Sequence, residues 1–119
     1  MHHELAEMEI LLSTLQSILA RFGVQLDDFM AETEGGAKAT YALGHELMKD
    51  YQSAKWVVNR HAIGIVSQAM ELSGRGCLAR NPLSQLYRDV RAGPFTQPYS
   101  PIDAQEYIGR VLLGDFPNA

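Results

Sequence analysis

The sequence has few of the residues that several kinds of protein require. Its single cysteine, Cys77, cannot form an intrachain disulfide or a thiolate metal cluster, which suits a reducing cytosol. No apolar run reaches the roughly 18 residues of a membrane span, and the amino terminus lacks a basic segment followed by an apolar signal core. We therefore expect a soluble, cytoplasmic protein that does not contact membranes.

Positive charge and metal-binding motifs are also scarce. Ten Lys and Arg stand against 14 Asp and Glu, which gives a formal net charge of -4. Nucleic-acid binding is not expected, because contact with a phosphate backbone depends on an excess of positive charge. His45 and Glu46 begin like the zinc motif HExxH, but Lys49 stands where the second histidine belongs. The paired Glu-x-x-His motifs of di-iron bundles are absent too, so no metal site is expected.

Proline is missing from the first two-thirds of the chain, because all five prolines lie at or after Pro82. Long helices are therefore possible in that part, since proline breaks the interior of a helix. No segment alternates polar and apolar residues over the length of a strand, which predicts an all-α fold. A length of 119 residues, 46% of them hydrophobic, predicts one domain with one core over residues 1–119.

Apolar residues spaced three and four apart predict two long helices. The first covers residues 5–22 and ends at Gly23, which stands where a C-cap glycine belongs. Residues 24–36 contain four acidic residues and a glycine pair, which predicts a solvated connection. The second helix begins within residues 37–43 and continues to Leu72.

Two shorter helices follow. The first is capped by Asn81, begins at Pro82 and ends before a Gly-Pro pair. The second is capped by Ser100 and continues to Leu113. Together the four helices predict a mainly antiparallel four-helix bundle with two long and two shorter helices. Inside the second long helix, Gly64 predicts a closely packed neighbour, because a helical glycine costs about 1 kcal/mol relative to alanine.

The second half of the chain contains an ordered set of motifs. An apolar helix leads into LSGRGC at residues 72–77, Pro82 begins the next helix, and LYRD occupies residues 86–89. An arginine follows, and IGRVLL closes the set at residues 108–113. This order resembles the C-terminal helical domain of the acyl-CoA dehydrogenases, in which AVQIFGGYGY precedes a proline-containing link, LYRD and an arginine. When the sequences are aligned without a gap, LSGRGC falls on FGGYGY, and residues 86–89 are identical to the family's LYRD.

The resemblance implies a role for the glycine turn in a flavoenzyme. In acyl-CoA dehydrogenases this turn of one subunit approaches the FAD bound by another, because glycine lets backbone N–H groups come close to the cofactor. By resemblance Gly74 and Gly76 take that role. Arg75 stands where the family often has glycine, and from its charge we expect its guanidinium to pair with a pyrophosphate. The family's glutamine before the turn falls on Met70, so Gln68, half a turn away, is the candidate for its contact with FAD.

Arginines cluster around this turn in a chain that is otherwise acidic. They either bind an anion, or Arg88 and Asp89 form ion pairs within the chain or between subunits while the other arginines are solvated. The arginines are Arg75, Arg80, Arg88 and Arg91. Of the remaining reactive side chains, His61 is expected to be a hydrogen-bonded structural histidine, and Cys77 a small buried residue.

At the family's catalytic base the sequence departs from the pattern. Acyl-CoA dehydrogenases remove the α-proton of a thioester with a carboxylate in a Y-E-G-T segment after LYRD, which implies a group able to accept a proton near neutral pH. Counted from LYRD without a gap, that position is Gln97, and counted back from the final helix it is Tyr99. An amide cannot act as the base, and no Asp or Glu occurs between Val90 and Ile102.

The resemblance therefore implies the C-terminal domain of a longer FAD-dependent oxidoreductase, contributing to a subunit interface and to the flavin site of a homo-oligomer. The implied substrate is an acyl-CoA or a similar small molecule, and the isolated chain is expected to be inactive. The missing carboxylate leaves open a flavoprotein of different chemistry, such as a flavin-dependent monooxygenase. A free-standing helical module that binds a protein partner through an apolar face is the other alternative.

Overall fold

A computed structural model describes residues 2–73, 82–95 and 100–116, and over these residues the chain forms helices and turns without a strand. A 3-10 turn, Gly93–Phe95, follows the third helix. The four α-helices are α1 (His2–Glu32), α2 (Tyr41–Ser73), α3 (Pro82–Ala92) and α4 (Pro101–Leu112). The predicted all-α bundle of two long and two shorter helices is confirmed.

The helix α2 lies at the centre, and each of the other three helices packs against it. α1 runs antiparallel to α2, as two contacts at opposite ends demonstrate. Gln68 near the end of α2 donates a hydrogen bond to Glu7 near the start of α1. Further along, the rings of Phe22 and Tyr51 lie 5.8 Å apart. The two long helices thus form a helical hairpin.

The short helices follow one another along α2. α4 covers the N-terminal half, where the Tyr107 hydroxyl lies 2.6 Å from Nδ1 of His45. After α3, the backbone of Gly93 lies so close to Asn59 that a Cβ at Gly93 would be 2.5 Å from Oδ1 of Asn59. The end of α3 therefore lies beside the middle of α2.

A tight turn connects α1 to α2. The N–H of Gly35 donates to the carbonyl of Met30 at 2.8 Å, which is the closing bond of a Schellman cap. Thr33 is fully buried, and its hydroxyl donates back into α1 at 2.6 Å. Three successive residues of the turn have positive φ: Glu34 (51°), Gly35 (72°) and Gly36 (97°). The αL position of the cap is therefore held by a glutamate.

α1 is longer than predicted, because it continues through Gly23 and residues 24–32. Gly23 lies inside the helix, and a Cβ there would meet no other atom within 4 Å. The heptad spacing of the inward-facing apolar residues also continues past the glycine, through Met8, Leu15, Phe22 and Phe29. The predicted helix end at Gly23 and the predicted connection over residues 24–32 are wrong, since the cap forms at Glu34.

The other helix boundaries within the described residues agree with the sequence. Thr40 caps α2 by accepting a hydrogen bond from the N–H of Leu43 at 3.2 Å. Ser100 caps α4, because its hydroxyl accepts from the N–H of Asp103 at 3.5 Å and donates to its carboxylate at 2.9 Å. Gly64 is exposed with no atom near its Cβ position, so the predicted close neighbour is wrong. Asn81 lies outside the described residues.

The bundle is a rod with a thin core. Its dimensions are 53 × 24 × 24 Å and its radius of gyration is 17.6 Å, against about 13.5 Å for a compact domain of this length. Its accessible surface is 8150 Å², whereas a compact monomer of this mass exposes about 6,400 Å². Among the described residues, the buried apolar ones are Leu15, Ala54, Ala104, Tyr107 and Val111. Much apolar surface therefore remains on the outside.

A partly exposed leucine stripe runs along α1, about 60° around the helix from the inward-facing row. Its members recur at every seventh residue and are 40% to 54% exposed: Leu5, Leu12, Leu19 and Leu26. Such a heptad spacing is the seam on which a second helix packs. In the neighbouring row of apolar residues, Met8 is half-buried and Leu15 is buried within the bundle.

The substitution Gly23→Ala distinguishes an α1 that continues through residue 23 from a helix that ends there. Within a helix the substitution is expected to stabilise the fold by about 0.5–1 kcal/mol, because glycine loses more conformational freedom on folding. Urea unfolding followed by circular dichroism measures the difference. Gly36→Ala is the matched control and is expected to destabilise, since its φ of 97° disfavours a Cβ. A loss of stability in both variants would instead indicate a left-handed cap at Gly23.

The leucine stripe predicts self-association of the chain. Sedimentation at about 0.1 mM is expected to detect oligomers, because association follows mass action. The double variant Leu12→Gln, Leu19→Gln is expected to shift the distribution toward monomer. The control Ile102→Gln, Leu112→Gln removes two even more exposed apolar side chains, 78% and 68%, from α4. A strict monomer before substitution, or equal effects of both pairs, would contradict an interface at the stripe.

Candidate functional site

Most of the residues predicted to act at a flavin site lie outside the described residues, but the structure fixes what flanks them. The glycine turn follows Ser73 directly, between the C-terminal end of α2 and the start of α3. The segment that holds the family's base position joins the 3-10 turn to α4. The site residues outside the described ranges are Gly74, Arg75, Gly76 and Gln97.

The residues that flank the glycine turn and those that flank the base position lie beside different parts of α2. Ser73 is the last residue of α2, whereas the 3-10 turn begins at Gly93, beside Asn59. With a rise of 1.5 Å per residue, Asn59 and Ser73 are separated by about 21 Å along the helix axis. The structure therefore does not bring the two sets of flanking residues together within one chain.

Gln68 lies on α2 shortly before the glycine turn. Its Nε2 donates to Oε2 of Glu7 at 3.2 Å, which ties the C-terminal part of α2 to the first turns of α1. The Gln68 side chain is half-buried. The amide predicted to contact a cofactor is thus held by α1 at the end of the bundle from which the glycine turn continues.

The LYRD motif, residues 86–89, lies on α3, and its side chains interact along the helix. The guanidinium of Arg91 lies 4.2 Å from the centroid of the Tyr87 ring and donates a hydrogen bond to its hydroxyl. Asp89 accepts a hydrogen bond from Gln85 at 2.9 Å. Within the described residues no ion pair joins Arg88 to Asp89, and Arg88 is exposed. Arg75 and Arg80 lie outside those residues.

An aromatic cluster around His45 was missed at the sequence level. The imidazole stacks on the ring of Phe116, with centroids 5.4 Å apart and planes 7° apart, and on Tyr41 at 6.0 Å. Its Nδ1 lies at hydrogen-bond distance from the Tyr107 hydroxyl. This histidine therefore fastens α4 and the segment after it to α2. The aromatic residues Tyr41, Tyr107 and Phe116 could have indicated this cluster from the sequence, but His45 was considered only as part of a zinc motif.

Other predicted features have simpler outcomes. His61, expected to be a hydrogen-bonded structural histidine, is half-buried, and its buried Nδ1 has no hydrogen-bond partner among the described residues. In the described ranges no three His, Cys, Asp or Glu side chains come together to hold a metal ion. No helix of that part of the chain is long and apolar enough to cross a membrane. Cys77 lies outside it.

Comparison with known protein families identifies the domain. The family described as "Acyl-CoA dehydrogenase, C-terminal domain" matches residues 1–97, which is most of the chain. The chain belongs to the acyl-CoA dehydrogenase family. The match to this acyl-CoA dehydrogenase domain includes the glycine turn and LYRD, and it ends at Gln97.

Three curated relatives share this acyl-CoA dehydrogenase domain. Amino sugar nitrososynthase DnmZ from Streptomyces peucetius is 38% identical over 110 residues, which cover 92% of this chain and 26% of that protein. L-evernosamine nitrososynthase from a Micromonospora species is 46% identical over 72 residues, or 60% of this chain and 17% of that protein. Amino sugar nitrososynthase RubN8 from Streptomyces rubradiris is 39% identical over 72 residues, or 60% of this chain and 17% of that protein. The chain thus spans 26% or less of these relatives, and no solved structure matches it.

Proposed function

We propose that this chain is the C-terminal domain of a longer FAD-dependent oxidoreductase that oxidises the nitrogen of an amino sugar instead of dehydrogenating an acyl-CoA. The amide at Gln97 carries the proposal, because no Asp or Glu lies between Val90 and Ile102 to replace the family's base. The relatives support it further, since the three that share 38% to 46% identity are named as nitrososynthases.

The two reactions place different demands on position 97. Dehydrogenation of a thioester requires removal of an α-proton, for which a carboxylate is a suitable base. Conversion of an amine to a nitroso group instead removes electrons and protons from nitrogen and adds an oxygen atom to it. A bound flavin supplies the redox chemistry in either case, with dioxygen as the oxygen source for nitrogen. The Gln97 amide can donate and accept hydrogen bonds, so it suits the orientation of a polar substrate.

The flavin site is proposed to be shared between subunits of a homo-oligomer. The separation of about 21 Å along α2 between Asn59 and Ser73 supports this arrangement, because the residues that flank the two segments, Ser73 and Gly93, lie far apart in one chain. A second copy would contribute its own glycine turn, with Gly74 and Gly76 offering backbone N–H groups and Arg75 a bidentate cation. Gln68 would support the turn from α2. The exposed leucine stripe of α1 supplies apolar surface for the subunit contact.

The first prediction from this proposal is that the 119-residue chain alone binds FAD weakly or not at all. A helical bundle with one glycine turn offers only a fraction of the contacts that hold a dinucleotide. Titration of FAD, followed by quenching of its fluorescence, tests the expectation. A sub-micromolar dissociation constant would demonstrate a complete site within these residues and contradict the proposal that the chain is one domain of a longer flavoprotein.

The second prediction concerns Gln97→Glu in the intact protein. Restoring the carboxylate is expected to raise the rate at which an acyl-CoA reduces the flavin, since general-base catalysis contributes on the order of 10² to 10⁴. The rate of oxidation of an amino sugar should not rise in parallel. Tyr99→Glu is the control for the alternative register. If the unaltered protein already dehydrogenates an acyl-CoA rapidly and Gln97→Ala does not slow it, the base lies elsewhere and the proposal fails.

A further inference from the structure

We draw no further inference here: the strongest candidate, the apolar groove between α1, α2 and α4 that Phe22, Val57, Ile108 and Leu112 line beside Arg21, carries no proposal because nothing in the structure shows what covers it.

Discussion

Packing against α2 is the interaction on which the whole structure depends. α1 pairs with it along its length, and α3 and α4 each pack on it as well. Few of the described residues are buried, and Leu15 is the one apolar residue of α1 among them. In such an arrangement the other three helices all depend on their contacts with one helix. Asn59 and Gln52 lie in the middle of α2, and each is close to residues of other elements. A change in this part of α2 is therefore expected to affect the packing of several helices together.

The sequence predicted three of the four helices well, because their ends have local causes. Thr40 and Ser100 cap the helices that follow them, and proline starts the helices at Pro82 and Pro101. The end of α1 was misplaced because a glycine was read as a cap, whereas the αL residue of the actual cap is Glu34. A non-glycine residue in that conformation costs about 1–2 kcal/mol, so composition does not point to it.

The candidate sites were predictable to different degrees. Gly74, Arg75, Gly76 and the substitution at Gln97 follow from motif order along the chain, which needs no knowledge of tertiary structure. The approach of Gly93 to Asn59 required the structure, because the two residues are distant in the sequence. The same is true of the contact between His45 and Tyr107. Membership of the family fixes the helical framework, but the reaction depends on the groups placed on it.

The distance of about 21 Å between Asn59 and Ser73 along α2 has a genetic consequence in a shared-site oligomer. Each complete centre would draw its glycine turn from one polypeptide and its position 97 from another. A subunit damaged only in the turn and a subunit damaged only near position 97 would each be inactive alone. Coexpressed, they would form mixed dimers in which one centre receives both damaged elements and the other receives none. Two defective alleles would thus complement each other, and part of the activity would return.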